Sequence, residues 1–224
     1  MTDIADSIRN VSEKIERACG KAGRGSAEVT LIAVTKTVET GKIKAAIQCG
    51  LKHFGENYVQ EAKTKIDDIG TEGINWHMIG HVQSNKIKYI PERFRYIHSV
   101  DRWELLERLD KYGKPMEAFF ELNLSRESSK HGTDEDGLRN MLEKVHTLKY
   151  VRPAGLMTVA PYVDNPENVR KVFRSLRKTL EKMNAEFSLG MQELSMGMSG
   201  DFEVAIEEGA TMVRIGTALF GERT

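Results

Sequence analysis

The sequence predicts an α/β fold, namely a single (β/α)₈ (TIM) barrel that is preceded by one extra helix. Eight short apolar runs suited to β-strands alternate with helical patterns along the 224 residues. Because each helical crossover returns the chain to the same edge of a sheet, the strands are expected to pair in parallel. Eight such units suit a closed barrel near the lower end of its usual length, whereas an open doubly wound sheet takes about five or six.

One domain is predicted to span residues 1–224, since no Pro/Ser-rich linker or low-complexity tract divides the alternation. We expect the N-terminal helix at about 3–20 and the barrel at about 28–221. The helix is indicated by apolar residues at helical spacing, and three glycines between positions 20 and 25 end it. Its apolar positions are Ile4, Ile8, Val11, Ile15 and Ala18.

The eight predicted strands are Val29–Thr35, Lys52–Phe54, Asn75–Ile79, Arg95–Val100, Glu117–Leu124, Val151–Val159, Gln192–Met196 and Thr211–Ile215. Helical patterns between them include Trp103–Tyr112, Leu138–Leu148 and Val169–Met183. Asn165 followed by Pro166 is typical of the start of a helix.

Composition limits the classes of partner. Lys plus Arg and Asp plus Glu both number 33, so no net charge attracts nucleic acid or a membrane surface. Cys19 and Cys49 have no CxxC spacing and are interpreted as free thiols in a reducing compartment. The N-terminus resembles no signal peptide, and no apolar run approaches the length of a membrane span. We therefore expect a cytoplasmic protein and, because no exposed apolar stripe is evident, a monomer.

Lys36 is the most informative residue, because it follows a buried strand at the end where such barrels carry their reactive groups. Burial there favours the neutral amine, which is the form that attacks an aldehyde. A lysine that extends to solvent at the rim, or pairs with Glu56, fits the same position equally well.

Glycine and hydroxyl residues follow the last two predicted strands. Ser199 and Gly200 precede a helical stretch, and Gly216 and Thr217 follow the eighth strand. Loops in these two positions commonly bind phosphate in (β/α)₈ barrels, which favours an anionic ligand. Two ordinary turns, with Ser199 as a helix N-cap, are the competing interpretation.

Arg214 shares the strand parity of Gly216 and is expected to point into the barrel mouth, towards a phosphate or a ring nitrogen. A salt bridge to a carboxylate within the mouth is the alternative.

His77 is more simply interpreted as a core histidine, and Asn57 as a turn residue. His77 and His81 lie on a strand and its loop with no evident third ligand, so no metal site is predicted. Lys130 and His131 are predicted to lie in a solvated loop.

Six sequence blocks resemble the pyridoxal 5′-phosphate (PLP) homeostasis proteins, known as YggS in bacteria and PROSC or PLPBP in animals. They occur in the family's order between residues 29 and 221. The blocks are AVTKT around Lys36, FGENYVQE from Phe54, WHMIGHVQSNK from Trp76, GLMTVAP from Gly155, LSMGMSGDFEVAI from Leu194 and VRIGTALFG from Val213.

The resemblance implies a barrel like the N-terminal domain of alanine racemase, with PLP held as a Schiff base on Lys36. It further implies that Arg214 faces the pyridine nitrogen and that Asn57 and His77 line the pocket. The phosphate would be held by Ser199, Gly200, Gly216 and Thr217. Such proteins are thought to buffer PLP and deliver it to apo-enzymes, without established catalytic turnover.

Two enzymatic alternatives remain. A PLP-dependent racemase needs a second acid/base group opposite the lysine, for which Tyr58 and Tyr162 are conceivable. A Schiff-base aldolase for phosphorylated sugars would also use a lysine and a phosphate site in a barrel, and it would be colourless when purified.

Overall fold

Eight parallel strands form a closed barrel in the computed structural model, which describes residues 3–125 and 131–222. The strands are β1 (Thr30–Val34), β2 (His53–Glu56), β3 (Asn75–Met78), β4 (Tyr96–Val100), β5 (Met116–Glu121), β6 (Val151–Met157), β7 (Glu193–Met198) and β8 (Met212–Ile215). Each strand pairs with its neighbour in sequence, and β1 closes the ring against β8. The predicted (β/α)₈ barrel is confirmed.

The helices surround this barrel. They are α1 (Ile4–Lys21), α2 (Thr40–Gln48), α3 (Val59–Ile69), α4 (Trp103–Asp110), α5 (Glu135–Leu142), α6 (Arg170–Phe187), α7 (Phe202–Glu207) and α8 (Thr217–Phe220). A 3₁₀-helix at Ser84–Tyr89 replaces an α-helix between β3 and β4. The strand–helix alternation is therefore regular except at this one connection.

The extra N-terminal helix lies on the outer wall of the barrel. The Asp3 side chain caps it by accepting from Ala5 N, and its apolar face packs against α2, α7 and α8. The sequence pattern located this helix to within one residue at each end.

Several predicted boundaries differ from the observed ones. The pattern Leu138–Leu148 divides into α5 and a short 3₁₀-helix at Val145–Thr147. Asn165 and Pro166 do start a helix, but its first turn is 3₁₀, with the Asn165 side chain accepting from Glu167 N. Strand β2 ends two residues later than predicted, because Gly55 and Glu56 continue the pairing with β3.

Two cores are separated by the sheet. The larger one lies between the barrel wall and the helices, and it includes Trp76, Phe54 and Phe173, each at most 1% exposed. Inside the barrel, apolar side chains form only a small cluster of Ile32, Phe119, Met157 and Met212. The rest of the interior carries polar groups, which is unusual because branched apolar residues dominate most such barrels.

Strands β6 and β7 approach each other closely at Gly155, whose backbone pairs with Glu193. A Cβ added to Gly155 would lie 1.8 Å from the Glu193 carbonyl oxygen. We expect Gly155→Ala to force the two strands apart and to lower the free energy of unfolding by about 3 kcal/mol. Urea denaturation followed by circular dichroism measures this loss.

Gly190→Ala is the matched control, since nothing lies within 4 Å of where its Cβ would stand. An equal effect of both substitutions on the denaturation midpoint would contradict the steric explanation.

Candidate functional site

A cavity of about 540 Å³ opens where the carboxyl ends of the strands meet, and we call it the rim cavity. This is the end of a (β/α)₈ barrel at which active sites form. Seven of the eight predicted site residues line the rim cavity: Lys36, Asn57, Ser199, Gly200, Arg214, Gly216 and Thr217. Chain positions up to 181 residues apart, from Lys36 to Thr217, thus meet in one place.

Lys36 reaches the rim cavity because it follows the inward-facing residues of β1. Ile32 lies in the interior cluster and Val34 lines the cavity, so the alternation of the strand carries Lys36 to the same side. The next residue, Thr37, has a φ of 61°, a left-handed conformation that a β-branched side chain rarely adopts. Hydrogen bonds to the neighbouring backbone therefore have to hold this turn.

A buried lysine, Lys65 of α3, supplies that support. Its ammonium group donates to the Thr35 carbonyl oxygen at 2.5 Å and pairs with Glu56 at 3.0 Å and Glu61 at 2.5 Å. Glu61 also accepts from Thr37 N at 2.5 Å. The residues on both sides of Lys36 are consequently anchored to α3, and this fixes the direction in which Lys36 leaves the barrel.

Glu56 forms an ion pair with Lys65 of α3, not with Lys36. Burial raises the pKa of the Glu56 carboxyl, while the Thr35 hydroxyl, which donates at 2.6 Å, and Lys65 lower it. One oxygen of this carboxyl, Oε2, is buried without a hydrogen-bond partner among the described residues.

Arg214 projects into the barrel from β8 and is only 4% exposed. Its guanidinium donates to the Ser195 carbonyl at 2.7 Å, to the Ser195 hydroxyl at 2.7 Å and to the Thr158 carbonyl at 2.8 Å. These three bonds use part of the five N–H groups of an arginine, so the group is held rigidly while it lines the rim cavity. Two carbonyl oxygens and one hydroxyl, rather than the carboxylate of the alternative interpretation, are therefore its hydrogen-bond partners among the described residues.

Carboxylates still influence Arg214 at longer range. Burial lowers the pKa of Arg214 to about 10, and the charges of Glu121 and Asp201 oppose that shift. Burial also raises the pKa of Glu121 to about 7, against the attraction of Arg214. The guanidinium therefore remains charged near neutral pH, whereas burial brings the pKa of the nearby Glu121 carboxyl into the neutral range.

His77 does not line the rim cavity, which corrects its expected position. It is 0% exposed and lies deeper inside the barrel, where its ring stacks on Tyr96 with centroids 4.2 Å apart. Burial lowers the pKa of His77 and of His98 well below the usual histidine value, so both rings are neutral. His77 can act on a ligand in the cavity only through other residues.

Those residues form a hydrogen-bonded histidine chain across the barrel interior. His53 Nδ1 lies 3.0 Å from His77 Nε2, and His77 Nδ1 lies 2.9 Å from His98 Nε2. His98 Nδ1 in turn lies 2.8 Å from the Ser195 hydroxyl, which accepts from Arg214. Strands β2, β3 and β4 each contribute one ring, and the chain ends at the guanidinium.

Arg214 sets the direction of every bond in the histidine chain. An arginine can only donate hydrogen bonds, so the Ser195 hydroxyl accepts one from Arg214. The hydroxyl then donates its own hydrogen bond to His98 Nδ1. A neutral His98 then donates from Nε2 to His77, and His77 donates from Nε2 to His53. His98 and His77 are thereby assigned the Nε2–H tautomer.

The loops after β7 and β8 meet at the opposite wall of the rim cavity. Ser199 Oγ accepts from Ala218 N at 3.4 Å, which links the two loops directly. Asp201, rather than Ser199, occupies the N-cap position of α7, and its side chain accepts from Met198 N. Gly197, with a φ of 92°, lets α7 close on β7, since a Cβ there would lie 2.6 Å from that of Ala205.

Sequence reasoning missed the residues that support the site. Lys65 carries no distinctive signal in the sequence, although it is only 7% exposed on α3. Ser195 and His98 carried a weak signal, because each interrupts an otherwise apolar strand on the inward-facing side. A polar residue that recurs on consecutive barrel strands is the pattern that would have indicated the histidine chain.

The chain matches the family model described as "Alanine racemase, N-terminal domain" over residues 7–224. It is 42% identical to a curated pyridoxal phosphate homeostasis protein of Aquifex aeolicus, over 99% of both chains. Among solved structures, it is similar to PipY of Synechococcus elongatus with PLP bound, at a TM-score of 0.81 and 36% identity. That match covers 93% of this chain and 100% of PipY.

Alanine racemase from Corynebacterium glutamicum shares the fold, at a TM-score of 0.71 and 16% identity. The match covers 97% of this chain but 61% of the racemase. The sequence blocks, the closed barrel and the full-length relatives agree, and the chain belongs to the family of pyridoxal phosphate homeostasis proteins.

Proposed function

We propose that this protein binds PLP covalently through Lys36 in the rim cavity and acts in PLP homeostasis as a carrier. One observation supports this most strongly: an amine, a rigid guanidinium and two loops rich in Gly, Ser and Thr surround one cavity of about 540 Å³. The PLP-bound PipY structure, which aligns over nearly the whole chain, agrees with it.

The groups around the rim cavity fit the chemistry of the cofactor. Lys36 supplies the nucleophile for an aldehyde, and the loops holding Ser199 and Thr217 supply hydroxyl and backbone donors for a phosphate. Asn57 also lines the cavity, and its side-chain oxygen is buried without a hydrogen-bond partner among the described residues. Such an atom costs free energy unless a ligand or water bonds to it.

Bound PLP offers an electrophilic aldehyde and a ring that accepts electrons. The family resemblance implies that Arg214 faces the pyridine nitrogen. In that position Arg214 would determine how strongly the ring accepts electrons. A charged donor at that position disfavours protonation of the nitrogen, so the ring withdraws electrons from the α-carbon less strongly. The residue thus favours holding the cofactor over catalysing reactions at an amino acid.

A racemase-like activity is the second candidate, because Tyr162 lines the rim cavity. Tyr162 is 95% exposed, however, and Tyr58 is 58% exposed and lines a neighbouring cleft. A catalytic acid or base needs a fixed position within hydrogen-bonding reach of the reacting atom. The exposure of both tyrosines therefore supports the carrier role.

The setting of the carrier is also proposed. We infer a single functional domain that works as a monomer in the cytoplasm and passes PLP to apo-enzymes. Cys19 and Cys49 are free thiols, as a reducing compartment favours. The large apolar side chains that are exposed in the described ranges are four tyrosines, each of which also carries a polar hydroxyl. No helix within those ranges has the length and apolarity to cross a membrane.

Lys36→Ala should abolish covalent PLP binding, because no other amine replaces the one that bonds to the aldehyde. The purified protein should be yellow, and the variant should lose the visible absorption band. Borohydride reduction and mass spectrometry should find the pyridoxyl group on the peptide containing Lys36. Lys42→Ala, on the exposed surface of α2, is the control. A colourless wild-type protein, or a pyridoxyl group elsewhere, would overturn the proposal and favour an aldolase.

Ser195→Ala should loosen Arg214, since the guanidinium loses one of three bonds and His98 loses its donor. We expect a shifted PLP absorption band and release of PLP to an apo-enzyme roughly tenfold faster, the equivalent of about 1.4 kcal/mol. Ser175→Ala, exposed on α6, should leave both unchanged. An unaltered spectrum and release rate in Ser195→Ala would show that the histidine chain does not position Arg214.

Incubation of the PLP-loaded protein with L-alanine should give racemisation no faster than an equal concentration of free PLP, because the described cavity holds no buried acid/base tyrosine. Chiral chromatography measures the product. Turnover well above the free cofactor, lost in Tyr162→Phe, would replace the carrier role with a racemase.

A further inference from the structure

A second cluster of potential ligands lies at the same rim of the barrel, outside the rim cavity. His81, Asp101 and His131 follow β3, β4 and β5, so three consecutive strand ends each contribute one side chain. One ligand atom from each lies within 4.8 Å of the other two. Lys130, which precedes His131 in the predicted solvated loop, lies outside the described residues.

The contact between His81 and Asp101 resembles that between two ligands of one metal ion more than it resembles a hydrogen bond. His81 Nδ1 lies 3.0 Å from Asp101 Oδ2. That nitrogen is nevertheless buried without a hydrogen-bond partner among the described residues, because its direction misses the carboxylate. Two donor atoms bound tetrahedrally to one Zn²⁺ at about 2.1 Å stand about 3.4 Å apart, so a small shift would bring the two atoms to this separation.

His131 completes the set from the solvent side. Its ring lies parallel to that of His81, with centroids 4.4 Å apart and planes inclined by 14°. One nitrogen of each ring lies within 4.8 Å of the other and of an Asp101 carboxylate oxygen. His131 is exposed, so a small rotation can bring its nitrogen to an ion held by His81 and Asp101.

Arg102 holds the carboxylate in place for such an ion. It donates to Asp101 Oδ1 at 2.6 Å and to the Val82 carbonyl at 2.7 Å, so the other oxygen, Oδ2, remains on the His81 side. Partners of this kind orient metal ligands in proteins. Arg102 also offsets the negative charge of Asp101, so the two imidazoles are the dominant metal-binding groups. Imidazole nitrogen favours Zn²⁺ over Ca²⁺ or Mg²⁺.

The cluster adjoins an open cleft of about 570 Å³ that also contains Gln83 and Lys86. Asn57 lines both this cleft and the rim cavity, so the two sites share a wall. An ion held by three protein ligands keeps a fourth position for water or for an anionic ligand that enters the cleft.

We propose that His81, Asp101 and His131 form a site for one Zn²⁺-like transition-metal ion with an open coordination position. The competing interpretation is an ion pair between His81 and Asp101 with His131 stacked on it. The proposal does not depend on PLP binding at Lys36.

Isothermal titration of the full-length protein with ZnCl₂, after removal of metals by a chelator, tests the site. The titration is repeated on Lys36→Ala to exclude binding of the ion to PLP itself. We expect one ion per chain, with affinity lowered at least about tenfold in His81→Ala, Asp101→Asn and His131→Ala. Titration with CoCl₂ should give visible absorption bands of a four-coordinate ion, and these should vanish in the same variants.

His146→Ala is the matched control, because this histidine is exposed on the 3₁₀-helix Val145–Thr147. His131→Ala keeps the test decisive if His81→Ala fails to fold, since His131 is exposed. Zn²⁺ binding that is absent, or that is equal in wild type, His131→Ala and His146→Ala, would overturn the proposal and support the ion pair.

Discussion

The buried charge of Arg214 is the constraint around which the barrel interior is organised. A guanidinium taken out of water is costly unless its N–H groups are bonded, and the carbonyls of Ser195 and Thr158 together with the Ser195 hydroxyl meet that need. The hydroxyl then requires an acceptor of its own, which His98 provides. A single cation thus explains why polar residues fill an interior that is apolar in most barrels of this kind.

The histidine chain extends this requirement away from the cation. His77 and His98 each accept at one ring nitrogen and donate at the other, so each needs a polar partner on both sides. Stacking of His98 on Phe119, with centroids 4.1 Å apart, and of His77 on Tyr96 holds the rings in the planes that these bonds need. Fully bonded networks of this type rigidify a core, since breaking any one bond leaves a buried group without its partner.

Lys36 depends on a different kind of support. Its side chain is placed by strand alternation, but the turn after it is strained at Thr37. Lys65 and Glu61, both on α3, bind the backbone on either side of the reactive lysine. The two halves of the site are therefore held independently, Lys36 from the helical layer and Arg214 from within the barrel.

The order of strands and helices and the residues that follow the strands could be read from the chain, because apolar periodicity and the carboxyl-end rule are local properties. Lys36, Arg214 and the loops at Ser199 and Gly216 were singled out in this way, whereas Asn57 entered the predicted site only through the family resemblance. Only the tertiary structure decided which polar side chains reach the cavity. His77 on β3 and Lys36, which follows β1, both face inward, yet His77 lies deeper along the barrel and is covered. The assembly of His81, Asp101 and His131 was likewise out of reach, since a contact across three loops depends on barrel closure and not on any spacing along the sequence.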